Sequence, residues 1–197
     1  DCQGLRCSRD LKRVVDGCTE EGVQECGPEK GCANGACVDP CAAAELAKGS
    51  TGCSFVTLPP DEAEYGAGSC FAAMIANTWD RPVTISAALG AEPLDITAST
   101  YFAEKTGGTI TYTKLDGPLQ PGQVALVFLS ELRPAPNPSV NDVFSACPIG
   151  TVGAFNGDPI DHGTTLTKAF TIKTDAPVSA YSIFPYGGAA SAYPTAT

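Results

Sequence analysis

Cys147 and His162 are the side chains whose types could form a thiol nucleophile and its base, and His162 is the sole histidine of the chain. A nucleophilic cysteine must be a free thiol whose pKa is lowered by a neighbouring cation or base. Cys147 reads instead as the bridging partner of Cys70, and His162, in the polar run Asp161-His162-Gly163, reads as a solvated loop residue. Ser69, in GAGSCF, lacks the G-x-S-x-G frame that presents a hydrolase serine on a strand-to-helix turn. Asp61, Glu62 and Glu64 offer paired carboxylates, but acids clustered after Pro59-Pro60 read as a solubilising loop. Asp158 and Asp161 offer carboxylates to Ca²⁺ without the D-x-D-x-D spacing of a calcium loop. These residues point away from an enzyme, and no cofactor or metal is expected.

The ten cysteines are unevenly placed: Cys2, Cys7, Cys18, Cys26, Cys32, Cys37, Cys41 and Cys53 crowd the start, and Cys70 and Cys147 follow. Zinc would need close ligand pairs, yet the nearest two, Cys37 and Cys41, have three residues between them. An even, crowded set is the framework of a disulfide-stapled module made in an oxidising compartment. All ten are expected to pair, with Cys41–Cys53 and Cys70–Cys147 as two of the bridges and the other six closing among themselves. On the chain-entropy account the long Cys70–Cys147 closure stabilises by roughly 4 to 5 kcal/mol.

Composition narrows the partners. A net charge of -10 on 197 residues repels nucleic acid and anionic lipid before any short-range contact forms. Hydrophobic residues make up 43% of the chain, enough for a core, but no apolar run approaches the roughly 18 residues that cross a bilayer. No membrane insertion by this segment is expected. Nothing at Asp1 resembles a signal peptide, so a targeting segment is expected to have been removed or to lie outside the chain. Asn137 is followed by Pro138, which removes the one near match to a glycosylation sequon and favours a bacterial over an animal extracellular origin.

Three parts must position these residues: a Cys-rich module over 1–41, a short helical connector over 42–51 and a β-domain over 52–197. Residues 1–38 lack helical or strand periodicity over any long window and are punctuated by glycines, so the module must rely on its bridges. Asp39 is placed to cap a helix, Pro40 suits its first turn, Ala42 to Lys48 are good helix formers, and Gly49 is expected to end it. Strands are expected at Ser54 to Leu58, Cys70 to Asn77, Val83 to Leu89, Thr109 to Leu115 and Gln123 to Ser130, the last apolar on both faces as in a central strand. Two more are expected within 168–188, folded over a turn at Asp175-Ala176-Pro177. Seven short strands without a long helix give a mainly β fold, an antiparallel β-sandwich preceded by the disulfide-rich module. Trp79, the single tryptophan, reads as a core plug.

The exception is Glu131 to Thr165, too long and too rich in Pro and Gly for an ordinary connection. Its Pro134, Asn137, Phe144 and Phe155 are candidate partner contacts. Tyr186 is another: at a strand end beside Gly187-Gly188, its ring covers the edge while its hydroxyl reaches water.

Four stretches taken together resemble the N-terminal domain family of IgGFc-binding proteins, in the form found in surface proteins of gliding predatory soil bacteria. They are CSRDLKRVVDGCTEEGVQECGPEKGCANGACVDPC (7–41), GSCFAAMIANTWDRPVTI (68–85), LQPGQVALVFLS (119–130) and HGTTLTKAFTIKTDAPVSAYSIFPYGG (162–188). The resemblance implies a non-catalytic, β-rich adhesion module at the outer cell surface, engaging a protein or a glycan. The family's domain continues past the position of Gly188, so a fragment or an abbreviated relative is expected. Asn156-Gly157-Asp158-Pro159 is similar to the Gly-Asp-Pro-His site at which some mucin-type domains cleave themselves, but Ile160 replaces the histidine, and a turn is expected. The competing expectation is self-assembly: a structural subunit of an extracellular fibre or tube, joined through strand edges and the C-terminal segment.

Overall fold

The computed structural model describes residues 4–61, 66–133 and 144–187. Cys2, Glu62, Glu64, Pro134 and Asn137 lie outside the described residues.

The module is stapled as expected but not structureless. β1 (Leu5–Cys7), β2 (Arg13–Asp16) and β3 (Gly22–Glu25) form a small antiparallel sheet, and β4 (Gly31–Ala33) and β5 (Ala36–Val38) form a hairpin. Strands of three or four residues are too short to show a period, which is why they escape the pattern. The hairpin does have a local signal: Asn34 and Gly35 both take positive φ (50° and 74°), as a two-residue loop of this kind requires. Cys7–Cys32 and Cys26–Cys37 close the module, and Cys18 is bridged as well.

α1 (Pro40–Ala47) begins where its cap demands, with the Asp39 carboxylate accepting from the Ala42 N–H at 2.9 Å. It ends at Lys48, not Gly49, and Lys48 itself takes the left-handed conformation (φ 51°). Cys41–Cys53 then ties the helix to the next strand.

The rest is one large, mostly antiparallel sheet curled into a half-barrel. Its strands are β6 (Thr51–Thr57), β7 (Phe71–Ala76), β8 (Ile85–Leu89), β9 (Glu92–Leu94), β10 (Thr100–Thr106), β11 (Thr109–Lys114), β12 (Val124–Glu131), β13 (Phe155–Asn156) and β14 (Phe170–Ile183). The order is β11-β10-β12-β7-β14-β8-β9, with β6 paired to β14 and β13 paired to β12. Central strands β7 and β12 are buried on both faces. Phe71, Ala73, Ile75, Val127 and Leu129 face the main core, while Ala72 and Phe128 face a second cluster with Tyr101, Cys70 and Cys147.

β14 corrects the expected pair of strands. Phe170 to Thr174 pair with β8 and Ser179 to Ile183 with β7, and β6 follows both halves across an irregularity between Lys173 and Val178. Ile172 and Val178 face the same core from either side of the bend, so no reversal is needed. Asp175 is held by the Thr84 N–H at 2.8 Å and by Arg81, and Pro177 lacks an N–H at the one place where the ladder is interrupted.

Candidate binding surface

The sheet holds the segment after β12 tightly. The buried Glu131 carboxylate accepts from the Cys147 N–H at 2.7 Å and from Arg133, whose guanidinium reaches the Thr151 carbonyl at 3.2 Å. The Cys70–Cys147 bridge is present, reinforced by the Cys70 N–H donating to the Ser145 carbonyl at 2.7 Å. Gly153 packs so closely on Ser130 and Glu131 that a Cβ there would lie 3.0 Å from backbone. The Ala154 N–H donates to Phe128 and the Gly157 N–H to Glu131. Residues 144–157 are therefore fastened to the sheet, and not a freely presented loop.

One side chain on this segment stands clear. Thr151 is buried and donates through both N–H (3.0 Å) and Oγ1 (2.8 Å) to the Pro148 carbonyl, closing a turn in which Gly150 takes φ 88°. Ile149 is the remaining corner of that turn and is fully exposed, at 102%. A second apolar tip, Leu166, is 94% exposed before β14 begins, and Val152 is exposed as well. The reading of single residues missed these tips. Their signal was an apolar residue set among turn and polar residues, in Cys-Pro-Ile-Gly-Thr and in Thr-Thr-Leu-Thr.

The residues nominated from sequence are placed differently. Phe155 forms β13 and packs against the main core, and Phe144 is half-buried. Tyr186 corrects the expectation of a water-facing hydroxyl. Its ring meets Phe128 edge-on at 5.0 Å, its hydroxyl lies 3.1 Å from that of Tyr112, and burial followed by that hydrogen bond raises its pKa. Its neighbour Tyr181 is the exposed aromatic of the strand, while Phe184 packs on Phe71 at 6.1 Å.

His162 is not a solvated loop residue. Its Nδ1 lies 2.5 Å from Asp61 and its Nε2 2.7 Å from Asp158, and the Gly163 N–H donates to the second oxygen of Asp61 at 2.8 Å. Hydrogen bonding to Asp61, then to Asp158, raises the imidazole pKa, and the same contact lowers that of Asp61. The histidine is thus a clasp between two segments, held through both ring nitrogens. With both ring nitrogens on carboxylates it has none to offer a nucleophile, and the Cys147 sulfur is consumed in its bridge. Ser69 is buried, its Oγ accepting from the Ser145 N–H at 3.1 Å. Asp158 lies in irregular backbone after β13, its carboxylate directed to His162, and the Asp161 N–H donates to Thr167. Among the described residues no three His, Cys, Asp or Glu side chains converge on a cation position.

No family model, curated protein or solved structure matches this chain. The surface must therefore be read from its own chemistry. It is an anionic, disulfide-bridged sheet protein, and no helix of the described residues is long and apolar enough to cross a membrane. Its bridges belong to an oxidising, extracellular-type compartment.

Proposed function

We propose that the chain is a non-catalytic binding or adhesion module at an outer cell surface, contacting a protein or glycan through the apolar tips Ile149 and Leu166. The observation that carries this reading is the exposure of Ile149 on a turn fixed by the Cys70–Cys147 bridge and the Glu131–Arg133–Thr151 contacts. A side chain held rigidly in water has already lost the backbone freedom that binding would otherwise remove. Burying it in a partner's pocket gains about 1.5 to 3 kcal/mol. The resemblance to IgGFc-binding domains is in keeping with this role, as is the charge, which turns nucleic acid and anionic lipid away.

The test is adhesion. Beads coated with the oxidised protein are expected to adhere to cells of the producing organism, and Ile149→Asp combined with Leu166→Asp should abolish adhesion at an unchanged melting temperature. Undiminished adhesion by the double variant would overturn the assignment.

A further inference from the structure

Among the described residues two long strands of the large sheet have a neighbour on one side only: β6 pairs with β14 alone, and β11 with β10 alone. The register says which backbone groups are left over. The Gly90 N–H donates to the Ala169 carbonyl at 2.9 Å in continuation of the β8–β14 ladder, so Thr171 and Lys173 also turn their backbone groups toward β8. Phe170 and Ile172 then turn theirs toward β6, opposite Thr57 and Phe55. By alternation, Ser54 and Val56 direct their N–H and C=O outward. On the other edge the Leu115 N–H donates to the Thr100 carbonyl at 2.9 Å, which sets Thr109, Thr111 and Thr113 toward β10 and leaves the backbone groups of Ile110 and Tyr112 outward. Among the described residues none of these four outward-facing pairs of groups has a backbone partner.

Edges of this length are ordinarily blunted by charge, proline or a bulge. The sheet blunts others: β9 is three residues long and contains Pro93, and β13 has only two residues. β6, by contrast, reads TGCSFVT without a charge, and Val56 on it is 70% exposed. β11 reads TITYTK, with Ile110 exposed. Beyond Tyr101, β10 makes no pairing with β12, so β10 and β11 leave the sheet together as a two-stranded arm. Beside the β6 edge an open groove of about 530 Å³ runs between α1 and the strand, lined from Cys41 to Phe55. An exposed sheet edge is where an extended segment adds as a further strand.

Charge selects the occupant. The chain as a whole carries -10, yet in residues 40–60 Glu45 and Lys48 cancel, and in residues 100–115 Glu104 is outnumbered by Lys105 and Lys114. Both free edges lie in windows where two anionic copies meet without net repulsion, the arm being the more basic of the two. We propose that a second copy of this chain adds its β11 to the outer edge of β6, so that copies join head to tail. The two surfaces differ, so the contact is heterologous and every added copy leaves one acceptor and one donor free. The inference does not depend on the apolar tips.

Sedimentation velocity over a concentration series of the oxidised protein tests it, with larger species expected as concentration rises. Val56→Pro and Ile110→Pro each remove one outward N–H at an edge position that tolerates proline. Each variant alone is expected to stay monomeric, whereas an equimolar mixture should give a one-to-one dimer and nothing larger, because only one intact edge of each kind remains. Val56→Lys and Ile110→Lys, which blunt the edges through charge alone, repeat the experiment with the backbone N–H kept. A parent protein that is monomeric at every concentration would overturn the proposal. So would a Val56→Pro variant that dimerises by itself, which would place the contact between two β11 arms. A mixture that stays monomeric while both variants melt like the parent would overturn it too.

Discussion

The Cys-rich module and the curled sheet solve the same problem by different means. The sheet buries large side chains on both faces of its central strands, among them Phe71, Ile75, Phe128, Leu129 and Phe170. The module has a buried cluster of its own made of Val14, Cys26 and Cys32, so its interior is largely its bridges. Leu11 of the module is instead buried in the core of the sheet. A short segment cannot bury enough apolar area to offset chain entropy, and covalent closure substitutes for it. The module is also docked on its neighbour. Trp79 donates from Nε1 to the Pro28 carbonyl at 2.7 Å, and Gly31 lies so close to α1 that a Cβ would stand 2.7 Å from the Cβ of Ala43. Lys12 reaches Asp80 at 2.7 Å across the same seam. The expected core plug is thus buried, and it serves as the joint between two regions.

Removing one bridge from each region sharpens the contrast most. On the chain-entropy account, Cys7–Cys32, spanning 25 residues, contributes about 3.5 kcal/mol and Cys70–Cys147, spanning 77, about 4.5 kcal/mol. Similar losses should have different consequences. Cys7→Ser with Cys32→Ser is expected to unfold the module, read as lost amide protection over residues 13–38, while β7 and β12 stay protected. Cys70→Ser with Cys147→Ser should lower the melting temperature but leave a folded sheet. Equal loss of protection everywhere in the first variant would show that the two regions are a single cooperative unit.

A smaller effect tests the joint. Trp79→Phe keeps a buried ring but removes the hydrogen bond to Pro28, and is expected to cost about 1 to 3 kcal/mol because the carbonyl loses its partner. Hydrogen exchange should rise first in β4 and β5, whose hairpin rests on α1. A rise confined to the sheet would contradict the docking role.

The smallest expected effect is the His162 clasp, which is partly exposed to solvent and screened. Its pKa is raised above 6.5, so its contribution is complete below that value and is lost as pH rises through the raised folded pKa. Asp61 is lowered below 3.8, so its contribution is present above that value and lost as pH falls through the lowered pKa. The clasp is closed between the two. His162→Asn should flatten the fall in melting temperature as pH rises above 6.5. An imidazole titrating by NMR at its ordinary value would exclude the clasp.

Much of the fold was legible because its signals are local. Asp39-Pro40 announced α1, alternation and turn residues marked β6, β7, β11 and β12, and the double apolar face of β12 announced a central strand. The excess of early cysteines announced the module, and helix-flanking position and isolation sufficed to pair Cys41 with Cys53 and Cys70 with Cys147. In each case the residues that decide the outcome are near neighbours in sequence, or so few that elimination pairs them.

Only the tertiary structure decided what depends on distant residues. Whether Asp175-Ala176-Pro177 turns or bends hinges on Arg81 and Thr84, both more than ninety residues earlier. His162 becomes a clasp because Asp61 arrives from a segment 101 residues away. Tyr186 faces inward because Tyr112 and Phe128 wait for it, and Ile149 faces outward because buried Glu131 and Thr151 hold its turn to the sheet. A side chain's exposure is set by what packs on it, and across such separations that is fixed by strand register, which local propensity does not specify.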